Sequence, residues 1–182
     1  MSTPTYEDVQ NAIQQWIVEA TSITADRVRW SGQGGAQPTS AGGAWISLSI
    51  TAEGVQGKPW ADIEDGAVAG TVQHVARSQN AGTLSIEVYN AASRGNGSAL
   101  AILRRLKPSL WLPTVSEILD GVVGMGAFAD ARNIPGLVNA TYFEPRGIMS
   151  CRFFTATELR STASGAATTS HIEHVEIAGE TE

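Results

Sequence analysis

The chain has little of what active sites and nucleic-acid surfaces are usually built from. Its 182 residues contain one cysteine, Cys151. A lone thiol excludes an internal disulfide and a cysteine-rich metal site, and it fits a reducing cytoplasm. Charge is sparse as well: Asp, Glu, Lys and Arg make up 16% of the residues, against about 25% in an average soluble domain. The basic side is the scarcer one, with 12 Lys and Arg against 18 Asp and Glu, for a net charge of −6. That balance argues against gripping phosphate backbones, which calls for clustered cations. No apolar run approaches the roughly 20 residues of a membrane-spanning helix. The start, Met1-Ser2-Thr3-Pro4-Thr5, lacks the basic and apolar regions of a secretion signal. A soluble cytoplasmic protein is the expectation.

Groups suited to chemistry are equally thin. Of the three histidines, His171 and His174 stand three apart in a strand-like stretch, which points them to opposite faces and makes a shared metal awkward. His74 stands alone. Cys151 alternates with Met149 and Phe153 and reads as a core thiol; a nucleophile wants a nearby histidine and an electropositive setting. Nothing in the sequence aims Asp120 at Asp130. Gly121, Gly124 and Gly126 imitate a dinucleotide fingerprint, but their order is wrong and they follow a helix. The glycine-rich loop over residues 32–43 leads into a strand rather than a helix N-terminus, so it is no phosphate cradle. No catalytic, cofactor-binding or metal-binding residue emerges, and a non-enzymatic role is expected.

What is present is material for one core: 42% hydrophobic residues in a length that suits a single domain over 1–182, with 19 glycines marking many turns. A helix is expected over residues 5–20, with Thr5 as N-cap, Asp8 three residues on, and Val9, Ile13, Trp16, Ile17 and Ala20 as its apolar stripe. Strands are expected at residues 28–30 and 45–50, the latter by alternation of Ile46, Leu48 and Ile50. Residues 71–77 and 83–89 form two more, joined by a turn at Asn80-Ala81-Gly82. The stretch 51–80 is broken by Gly54, Gly57, Pro59 and Gly66, yet Trp60, Ile63 and Val68 keep it from looking disordered. It predicts a protruding hairpin or long loop, with Trp60, Ile63, Val68 and His74 as a candidate contact arm.

A second helix over residues 99–107 is capped by Ser98 and closed by Pro108, and a third covers residues 114–122. A short strand to Phe128 follows, then a turn at residues 133–136. Residues 147–157 form a late strand, 161–170 a flexible loop, 171–177 a last strand and 178–182 a loose acidic tail. The fold class is α+β: an antiparallel sheet backed by the N-terminal helix and the central helical pair.

The late strand is preceded by Tyr142-Phe143-Glu144-Pro145-Arg146. Pro145 removes a donor and biases Glu144 towards extended backbone, and Gly147 permits a bend. Glu144 and Arg146 are read as a pair that locks a structural corner or bridges to another subunit.

Together with the order of helices and strands, this corner resembles the tailed-bacteriophage neck or tail terminator (tail completion) family, in which a similar Tyr-x-Glu-Pro-Arg corner precedes a late core strand. The resemblance covers roughly residues 9–157. It implies a structural virion protein, assembled in the host cytoplasm and placed in the neck. Such a protein forms a homo-oligomeric ring, commonly a hexamer, that caps the head-proximal end of the tail tube and stops its growth. The implied partners are the tail tube protein and the head-completion or connector protein, with a sheath protein as a further candidate; DNA passes through the lumen without specific binding, and no cofactor is implied. Two alternatives stay open: a head-completion or tube subunit of the same particle, and, from a different class, a small α+β enzyme.

Overall fold

The computed structural model describes residues 4–33, 42–65, 72–90, 98–139 and 142–160. The expectations for residues 161–170, 171–177 and 178–182, and for Val68, His171 and His174, lie outside these residues.

The first helix, α1, spans Tyr6–Thr21. Its start is a reciprocal capping box: the Asp8 backbone N–H donates to Thr5 Oγ1 at 3.1 Å, and the Thr5 N–H donates to Asp8 Oδ2 at 2.7 Å. These bonds hold the Asp8 carboxyl below its ordinary range, the Thr5 backbone donor contributing most. Val9, Ala12, Ile13, Trp16 and Ile17 form the buried stripe. Ala20 is only half-buried; at that end Thr21 turns inward instead, its hydroxyl donating to Ile17 O at 2.7 Å. Two further helices follow later in the chain, α2 (Ala99–Ser109) and α3 (Pro113–Leu119).

Six strands form one sheet: β1 (Val28–Trp30), β2 (Trp45–Asp65), β3 (Val72–Tyr89), β4 (Gly124–Phe128), β5 (Arg132–Asn139) and β6 (Tyr142–Arg160). Their order is β1-β2-β3-β6-β4, with β5 also pairing with β6. The fold is α+β, as the pattern predicted, but the sheet is mixed. β1 runs parallel to β2, and every other pairing is antiparallel. Ile46 and Leu48 on β2, Leu84, Ile86 and Val88 on β3, and Met149, Cys151 and Phe153 on β6 join the α1 stripe and Ile102, Leu103 and Leu106 of α2 in one core. The helices therefore cover one face of the sheet. The alternate residues Trp45, Glu87, Tyr89 and Arg146 belong to the other face.

Four local expectations give way to packing. Residues 80–82 make no turn, and β3 passes straight through them. Gly82 is small because the Phe153 ring crosses it: a Cβ there would sit 2.3 Å from the ring and 3.1 Å from Ala52 O. The glycine that read as a turn is a packing position. Pro108 does not close α2, which continues to Ser109; a proline in the last turn removes one helical bond without displacing a following turn.

Residues 133–136 are no turn either, and the Glu144-Pro145-Arg146 segment lies inside β6 rather than at its entry. Pro135 stands directly opposite Pro145. Two facing prolines have no donors, so they are tolerated only at a non-hydrogen-bonded pair, where both nitrogens point away from the shared ladder. Pro145 O accordingly faces the other neighbour and accepts from Asn90 N at 3.2 Å.

Candidate interaction surface

Beyond the helices, three strands run on as a blade: β2 from about Ala52 to Asp65, β3 from Val72 to about Asn80, and β6 from Thr155 to Arg160. The β3–β6 register is unbroken from Tyr89↔Arg146 to Val75↔Arg160. β1 reaches only Leu48 on β2, and β4 only Phe154 on β6. Among the described residues, both long edges of the blade thus have no neighbouring strand. The predicted hairpin is present, formed by β2 and β3 pairing out to Asp65↔Val72.

Alternation sorts the blade into two different faces. On one, Trp60, Asp62 and Glu64 of β2 stand across from Arg77, Val75 and Gln73 of β3, with Glu158 and Arg160 beyond them on β6. Arg77 donates to Glu64 Oε1 and, through Nε at 2.8 Å, to Glu158 Oε2. Arg160 reaches Glu64 Oε2 at 3.1 Å and Glu158 Oε1 at 2.5 Å. The bonds from Arg77 first, and then from Arg160, hold the Glu158 carboxyl below its ordinary range; Glu158 in turn raises the Arg77 guanidinium. The opposite face carries Ala61 and Ile63 against Ala76 and His74, with Val72 at the far end. Ile63 is 61% exposed and Val72 58%.

The predicted arm residues therefore do not share a surface. Trp60 lies on the charged face, opposite Arg77, and Ile63 and His74 on the apolar one, opposite each other. Three residues apart is a helical neighbour but a change of side in a strand.

The corner residues meet partners from elsewhere in the chain. Arg146 forms its ion pair with Glu87 of β3, and its guanidinium carbon lies 5.1 Å from the centre of the Tyr89 ring. Tyr89 stacks on Trp45 with centroids 4.1 Å apart and planes 6° from parallel, and its hydroxyl donates to Glu87 Oε2 at 2.7 Å. Trp45, Tyr89 and Arg146 are consecutive members of one cross-strand row. The Arg146 Nε is buried without a partner. Pro145 is half-buried, and the Glu144 side chain lies outside the described residues.

Groups that could carry chemistry are scattered. Cys151 is buried opposite Leu84 and Phe128, and burial pushes its thiol up to about 12. Asp120 is the one charged residue lining an open groove of about 970 Å³, otherwise walled by Leu110, Leu119, Val123, Met125 and Phe154 among others. Asp130 is not among the lining residues. No group of three or more His, Cys, Asp or Glu able to hold a metal exists among the described residues, nor is any helix among them long and apolar enough to cross a membrane.

One feature escaped the sequence entirely. Trp111 is 90% exposed, beside the half-exposed Leu112, on the link between α2 and α3. The link is stiffened by Trp111 N donating to Pro108 O at 3.2 Å and Leu112 N to Ser109 O at 2.9 Å. An aromatic between prolines in an apolar run carries no signal of exposure. No family model matches the chain, and no curated protein matches it.

Proposed function

We propose that the protein is a structural subunit of a tailed-phage neck: a ring-forming tail terminator that caps the tail tube and joins it to the head-completion or connector proteins. The observation that carries this reading is the blade. Among the described residues its edges are long and unpaired, and its Ile63–Val72 face exposes apolar side chains where a monomer would normally place charge. A two-stranded extension is marginal alone; three strands that offer two unlike edges suit contacts with two neighbours. Head-to-tail contacts of this kind close into rings when the rotation permits. The acidic balance, −6 over the chain, suits a channel through which DNA must slide without sticking.

Electron microscopy of the purified protein, alone and with tail tubes, is expected to reveal rings, free or seated on one tube end. Particles made without the protein should carry tails of uncontrolled length or tails that fail to join heads. Normal joined particles in its absence overturn the proposal.

A further inference from the structure

The blade's charged face has a feature that ring formation does not require. Glu64, Arg77, Glu158 and Arg160 form a closed square in which each of the four carboxylate oxygens takes one guanidinium nitrogen. The corners alternate in sign and sum to zero. They come from all three strands: Glu64 from β2, Arg77 from β3, and Glu158 and Arg160 from β6. We infer that this square is a latch: it fixes the distal end of β6 to the hairpin, so that order in the blade is set by ionic strength and by acid.

The surroundings leave the latch little competition. Val75, directly opposite Arg160 and two residues from Arg77, is fully buried yet stands outside the main core cluster. The long aliphatic stems of arginines on the same face are suited to covering such a residue while their heads stay wet. Beyond Phe154, β6 pairs with β3 alone. Single exposed ion pairs contribute little, whereas several charges joined in one network, each bridging two partners, contribute more. Where the local opening energy is small, such a network decides whether the segment is ordered.

Salt follows from the exposure: at about 1 M ionic strength the screening length falls to about 3 Å, the length of the bonds themselves. Acid follows from the sign of the shift. The Glu158 carboxyl titrates below its ordinary value, so the latch is fully closed above that value and opens as pH falls through the lowered one. The charged and titratable groups that share its face are Asp62 and Glu64 of β2, Arg77 of β3 and Arg160 of β6, with Gln73 of β3 the neutral neighbour. His74 lies on the other face.

Amide hydrogen exchange on the full chain tests this without any need for a ring. Arg77→Met and Glu158→Gln should each speed exchange roughly tenfold over residues 73–80 and 155–160. Residues 84–88 should be unchanged. Raising salt to about 1 M should reproduce the effect in the wild-type chain and add little in Arg77→Met. Equal protection in wild type and both variants overturns the latch, as does loosening of 84–88 by the same factor, which would mean a global loss of stability. These outcomes leave the ring proposal standing, and a monomeric wild type with a salt-sensitive blade would overturn the ring while the latch stands.

Discussion

Gly82 and Ser109 make the residue-scale case that small side chains here are fixed by distant partners. Ser109 Oγ accepts the Trp16 indole N–H at 2.9 Å and donates to Leu106 O at 2.7 Å, in a buried site that ties the end of α2 to α1. Gly82 makes room for Phe153. Gly82→Ala would force a Cβ into a fully buried ring with backbone on its other side. Overpacking of that kind costs about 1–3 kcal/mol, so the melting temperature should drop by several degrees. Calorimetry would show it, and an unchanged melting temperature would mean that the ring moves freely. Neither partnership is legible locally, because Asn-Ala-Gly has the composition of a turn and Pro-Ser that of a helix end. The Arg146 pairing is similar: proximity in sequence suggested Glu144, while strand register brings Glu87 and the Tyr89 ring alongside it.

Periodicity carries elements well and their ends poorly. The α1 stripe and its Thr5–Asp8 box were readable because both depend on residues within two turns of each other. So were the cores of β2 and β3, from the alternation of Ile46, Leu48, Leu84, Ile86 and Val88. The distal half of β3 was legible too, at residues 71–77, though not as one strand with 83–89; the distal half of β2 was not, since a strand exposed on both faces lacks an apolar row, and Gly54, Gly57 and Pro59 read as interruptions. The ladder carries Gly54 in register opposite Ala81 and absorbs Gly57 and Pro59 as an irregularity between Gln56 and Trp60. If the exposed face of this hairpin meets another subunit, Ile63→Ser with Val72→Ser should reduce self-association in analytical ultracentrifugation. The fold itself should keep its stability within about 0.5 kcal/mol, because both sites are exposed. Unchanged association would remove this face from the contact.

At the scale of the whole molecule, one core couples the three helices to the inner sheet, and Cys151 sits within it as a reporter. Its thiol, pushed up to about 12, stays protonated and covered at neutral pH. Labelling with a thiol reagent should therefore be negligible in the native protein and rise along the same denaturant curve as tryptophan fluorescence, since Trp16 shares that core. Labelling that precedes the fluorescence change would mean that β6 leaves the sheet before the helices unpack. The blade stands outside this cooperative unit, which is why salt and acid can act on it while the core stays closed.

The sequence by itself determined the α+β class, the helix stripes, the inner strands and the scarcity of groups for catalysis, because each of these depends on composition or on neighbours a few residues apart. Tertiary structure alone decided the parallel β1–β2 pair, the facing prolines, the charge square and the exposed Trp111. The first three depend on register between strands up to roughly 100 residues apart, and Trp111 on how the link between two helices is turned; local periodicity holds no information about which distant strand or helix lies alongside.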